Sequence, residues 1–140
     1  MHYRLKSLHF VVDIPIYKQT ALFVFGCDKK KLAKIVEDLG GSEKFVLELL
    51  SMDKCSGYTY QDGDTGKFLV YMPGLPQRAS EHGILVHEIF HLVEQIMNRI
   101  GMPLVIYTSS EAYAYLIGHI SAEVFSRLWN TQNQSKQAKG

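Results

Sequence analysis

Two histidines and a glutamate stand at His87-Glu88-Ile89-Phe90-His91, the His-Glu-x-x-His spacing, inside a run of apolar, helix-compatible residues. On an α-helix, residues four apart are separated by about 40° in angle and roughly 6 Å along the axis, so His87 and His91 can aim at one atom from one face. Glu88 lies one residue on and can reach beside that atom without binding it. This is the geometry of a zinc site with a neighbouring general base. The competing reading keeps both histidines as hydrogen-bonded core residues with no metal.

A catalytic zinc takes a third protein ligand and keeps a position open for water. The candidate is Glu111, 20 residues beyond His91 (111 − 91) at the start of the following predicted helix. Two helices joined by a loop are antiparallel neighbours, which can bring that Glu opposite the histidines. Thr108-x-x-Glu111 also fits a capping box, a role that competes for the same carboxylate. Glu94 and Glu123 fit less well. Glu94 is about 60° further round the helix from His91, and Glu123 is expected to face solvent or pair with Arg127.

The elements that must hold these residues follow from pattern. Leu8–Val12 and Ala21–Phe25 are dense in β-branched and aromatic residues and predict two strands with a bend at Pro15. Asp28 caps a helix running to about Leu39, Gly40-Gly41 stops it, and Ser42 starts a second short helix. Gly57–Tyr60 and Lys67–Met72 read as hairpin arms joined by the turn-forming Asp62–Gly66. That loop lacks the Glu that would complete an EF-hand. The main helix spans about Ser80 to Gly101. Its apolar arc is so wide that it is expected at the centre of the domain, with the His/Glu motif away from bulk water. Thr108-Ser109-Ser110 then opens a last helix, and polar residues from Thr131 onward predict a frayed tail.

Composition sets outer limits. The chain has 140 residues, 46% of them hydrophobic, and reads as a single domain over 1–130 with a flexible tail at 131–140. Fifteen basic against 14 acidic side chains give a net charge of +1, so no global field for nucleic acid or an anionic membrane is present. Lys29-Lys30-Lys31 is local and is followed by Glu37 and Asp38. Cys27 and Cys55 form neither a disulfide framework nor a Cys-x-x-Cys pair, and no secretory leader or membrane span is seen. A cytoplasmic protein is the expectation, and no feature specifies an oligomeric state.

The pattern His87-Glu88-x-x-His91 followed by Glu111 resembles the gluzincin clan of zinc metallopeptidases, whose thermolysin branch has this separation. The Glu111-Ala-Tyr-Ala-Tyr115 run is similar to that of small zincin-like proteins of phages and mobile elements. The likeness is specific over residues 84–119 and rests on architecture alone upstream. It implies an α+β zincin-like domain, with a small mixed or antiparallel sheet, a central motif helix and an adjacent C-terminal helix carrying the third ligand. It further implies Zn²⁺ on His87, His91 and Glu111, and Glu88 activating a water and passing its proton to the leaving amine. Lys67–Met72 would be the edge strand that takes an extended peptide or protein substrate by β-addition. Two departures stand out. The thermolysin branch carries an Asp four residues after its ligand Glu to orient a zinc histidine, and here that position is Tyr115, a weaker hydrogen-bonding partner. The lobe that supplies an oxyanion stabiliser is also missing, with Tyr107, Tyr113 and His119 as possible substitutes. The expected activity is hydrolysis of peptide bonds. The alternative is a zincin-like metal-binding protein with a binding or regulatory role and little hydrolysis.

Overall fold

Caps and turns punctuate the first half of the chain. The computed structural model describes residues 7–137, with side chains to 134. The first six residues of the N-terminal segment, and the last three of the expected tail, lie outside the described residues. Strand β1 (Leu8–Ile14) turns through a short 3-10 segment at Pro15–Tyr17 into β2 (Gln19–Phe25), its antiparallel partner. Asp28 caps α1 (Lys29–Asp38) by accepting the Lys31 N–H at 2.9 Å. Gly40, at φ +85°, lets the chain reverse. The Ser42 hydroxyl then caps α2 (Glu43–Leu50) at Phe45 N. The hairpin β3 (Tyr58–Gln61) and β4 (Phe68–Met72) follows as expected.

β4 inserts beside β2 in parallel, so the sheet order is β1-β2-β4-β3. A parallel pair needs a long crossover, and α1 and α2 provide it. The result is an α+β fold around a mixed four-stranded sheet. One expectation is corrected here: Lys67–Met72 does not form an edge. β4 is hydrogen-bonded on both sides, because β2 claims the side that a plain hairpin would leave free. The edges are β1 and β3.

Side-chain alternation gives each face of the sheet its own core. Phe10, Val12, Phe23, Phe25, Phe68, Val70 and Met72 point to one face, where α3 (Ala79–Arg99) and α4 (Ser110–Gln137) cover them. Leu22, Val24, Leu69 and Tyr71 point to the other, under α1 and α2. Within the first layer α3 lies over β3 and β4, and α4 packs beside it and over β1. α4 continues to Gln137, so residues 131–137 are helical where a frayed tail was expected.

α3 buries a continuous stripe of Leu85, Ile89, Leu92, Val93, Ile96 and Met97, each at 0% exposure. The expectation that it is enclosed nearly all round is corrected. Val86 (48% exposed) and Phe90 (38%) are open, as is His87. The sheet takes one side of the helix and α4 a second, which leaves a third side to water. Among the described residues no helix is long and apolar enough to cross a membrane.

Candidate active site

The open side of α3 carries the histidine pair. The two Nε2 atoms meet at 3.0 Å, with ring centroids 4.6 Å apart and planes at 80°. The same arrangement serves a single N–H···N hydrogen bond or two lone pairs converging on one cation. At zinc–nitrogen distances of about 2.0–2.1 Å, a tetrahedral angle needs the nitrogens about 3.3–3.4 Å apart, so a slight opening of the rings would admit the metal. The two imidazoles therefore fit zinc as donors.

His91 Nδ1 lies 2.9 Å from Glu94 Oε1, and both side chains are about half exposed. A carboxylate there accepts a hydrogen bond from Nδ1–H, and in the neutral ring that leaves Nε2 as the lone-pair nitrogen. Glu94 thus makes the histidine contact expected of Tyr115, and Tyr115 itself is 73% exposed on α4. The signal in the sequence was the i,i+3 spacing from His91, which suits a hydrogen bond to the far ring nitrogen better than a shared metal.

Glu88 points to the opposite flank, toward the edge strand, and is 7% exposed. The Thr59 hydroxyl on β3 lies against both the Glu88 carbonyl, at 3.1 Å, and its Oε2. The fit is close: a Cβ at Gly57 would run against Ile84 Cγ2 and Glu88 Cγ. Thr59 is a site residue that sequence reasoning missed. It lies 29 residues before Glu88 (88 − 59), and only the hairpin's docking on α3 brings the two together.

Glu111 is exposed, the second residue of α4. The first helical bond runs from Tyr113 N to Ser109 O, so Ser109, not Thr108, holds the cap position and the Thr108–Glu111 capping box is not the register adopted. Ser109 accepts the Val105 N–H and donates to the Pro103 carbonyl. The helix register carries Glu111 past the histidines. His82 on α3 stacks on Phe125 of the antiparallel α4 at 6.0 Å. Equal rises along both helices then set Glu111 up to about one and a half turns beyond His91, on the order of 7 Å. Accordingly, no group of three or more His, Cys, Asp or Glu suited to a metal ion forms among the described residues.

The remaining candidates are dispersed. His119 gives its Nε2 to the Asp13 carbonyl of β1, 2.9 Å away. β1 and β3 are opposite edges, three strand spacings or about 14 Å apart, so His119 does not stand beside Glu88. Tyr113 donates its hydroxyl to the Met102 carbonyl at 2.7 Å. Tyr107 is 98% exposed at φ +67° in the loop between α3 and α4. Arg127 rests over the Phe10 ring, and Glu123 is exposed. Compared with family models, curated proteins and solved structures, the chain matches none.

Proposed function

We propose that the chain is a zinc-dependent peptidase of zincin-like, gluzincin type, working in the cytoplasm on peptide or protein substrates. The observation that carries this reading is the meeting of the two Nε2 atoms at 3.0 Å on the water-facing side of α3, with a buried Glu88 one residue from His87. His87 and His91 would hold the zinc. Glu111 would join them by a swing of its side chain together with a small slide of the first turn of α4. Zinc bound there would polarise the scissile carbonyl and bring the pKa of its water toward neutrality.

The chain's own residues would supply the rest. Thr59 engages Oε2 of Glu88 and leaves Oε1 to take a proton from water and later return it to the leaving amine. The free edge of β3, on the Glu88 flank of α3, would take the extended substrate backbone in place of β4.

A second reading, metal binding without hydrolysis, is favoured by one observation: among the described residues no acidic third ligand stands with the pair. Elemental analysis and peptide cleavage separate the two. One zinc per chain is expected, lost in His91→Ala and held more weakly in Glu111→Ala. Glu88→Gln is expected to keep its zinc and lose cleavage by about 10²–10⁴-fold. Wild type and Glu88→Gln equally inert toward a broad peptide library would leave the binding role. A protein that takes up no zinc would end both readings.

A further inference from the structure

A neutral imidazole has one proton for two nitrogens, and the neighbours decide where it sits. For a neutral His91 the hydrogen-bond geometry favours one tautomer. Glu94 accepts at Nδ1, so the His91 proton belongs there and Nε2 is bare. With His91 neutral, the one hydrogen bond between the rings is donated by His87 Nε2–H. The pair is therefore asymmetric. His91 already presents a lone pair to the shared point, whereas His87 must move its proton to Nδ1 before it can do the same.

We propose that Glu94 is the positioning residue of this site, presetting the tautomer and ring orientation of His91 for a divalent cation. The role rests on the zinc reading above but concerns a residue that touches only His91. Glu94 and His91 sit at i,i+3 on the open side of α3, so one helix sets both ring and carboxylate. No loop or second helix has to be in place first. A carboxylate on the distal nitrogen also raises the basicity of the ligating one. Glu94 is not itself placed as a ligand, since its carboxylate lies at Nδ1, on the far side of the ring from the shared point.

Two measurements on the full chain test this. Nitrogen-15 NMR of the histidine side chains in metal-free protein reads the tautomer directly. Wild-type His91 is expected as Nδ1–H, and Glu94→Ala is expected to shift His91 toward Nε2–H. Glu94→Gln keeps an oxygen that can accept from Nδ1 and is expected to retain the wild-type tautomer. Zinc titration against a competing chelator is expected to show a 10–100-fold loss of affinity in Glu94→Ala, with Glu94→Gln recovering most of it. The proposal is overturned if Glu94→Ala keeps both the tautomer and the affinity of wild type. It is equally overturned if Glu94→Gln loses zinc as completely as His91→Ala, which would make Glu94 a ligand. Should wild type bind no zinc, the metal role falls with the reading it rests on. An Nδ1–H His91 in that same protein would then trace the failure to the missing third ligand rather than to Glu94.

Discussion

Replacing Asp62 by Asn should remove about 2.5 kcal/mol of stability at neutral pH, and that loss should vanish in acid. Asp62 is 1% exposed in the β3–β4 turn, yet its carboxyl is held below the ordinary carboxylate range. Burial, the largest single influence, pushes its carboxyl up, but the combined donors of Ser42, Thr65 and Asp64 outweigh it and hold the group at about 2, against an ordinary 3.8. Oδ2 accepts the Ser42 N–H at 2.8 Å, and Oδ1 accepts the Ser42 hydroxyl at 2.8 Å and the Asp64 N–H at 3.0 Å. A downward shift of about 1.8 pH units corresponds to roughly 2.5 kcal/mol. Because the folded pKa is the lower one, this contribution is complete above the ordinary value and fades as pH falls from about 4 to about 2. Asn keeps one acceptor but turns an NH₂ toward the Ser42 N–H, leaving a buried donor unmatched at a cost of about 1–3 kcal/mol. Protonated Asp62 carries the same kind of mismatch, so the two proteins should converge. Urea unfolding of both across that range is the assay. A stability gap that stays constant down to about pH 2 would refute the assignment of the shift to this hydrogen-bond set.

Two further substitutions probe the hairpin that carries Thr59. Thr59→Val leaves the buried Glu88 carboxylate without its hydroxyl partner and should lower stability by about 1–3 kcal/mol, with Thr59→Ser close to wild type in urea unfolding. Gly66, at φ +74° beneath the Arg99 guanidinium, should lose about 1–2 kcal/mol on change to Ala, mostly from the backbone conformation. Gly63→Ala in the same turn meets nothing within 4 Å and serves as the near-neutral control.

Local chemistry was readable wherever one short segment settles it. The Asp28 and Ser42 caps, the Asp62–Gly66 turn and the span of α3 all follow from side chains that bond their own neighbourhood. What escaped the sequence depends on distant pairing. Adjacent hairpin strands announce that β3 and β4 are neighbours, but not that β2 will take the other side of β4. The same holds for Asp62, whose turn role was plain while its bond to Ser42, 20 residues earlier, was not. The exposure of Val86 and Phe90 escaped for another reason. An apolar arc records which faces of a helix can be buried, and only the count of covering layers decides which are. α3 has two coverings for an arc wide enough for three.

That open side bears on how the site would assemble. His91 and Glu88 are each held by a separate support, Glu94 on α3 itself and Thr59 on the edge strand. Neither support involves α4, the helix that carries Glu111. α3 continues for eight residues past His91 (99 − 91) before the chain turns back, so α4 starts well below the histidines, and Glu111, only one residue into it, stays short of them. Closing that axial gap takes a side-chain swing together with a small slide of the first turn of α4. The loop before that turn is stapled by Ser109 to Pro103 and Val105, which resists the slide, whereas the Glu111 side chain is exposed. Metal uptake would therefore be two-stage, with the histidines binding first and Glu111 closing afterwards. Glu111→Ala should consequently weaken zinc rather than abolish a first, looser association, while His91→Ala should abolish both. Equal and complete loss in the two variants would mean that α4 is already docked over the pair before the metal arrives.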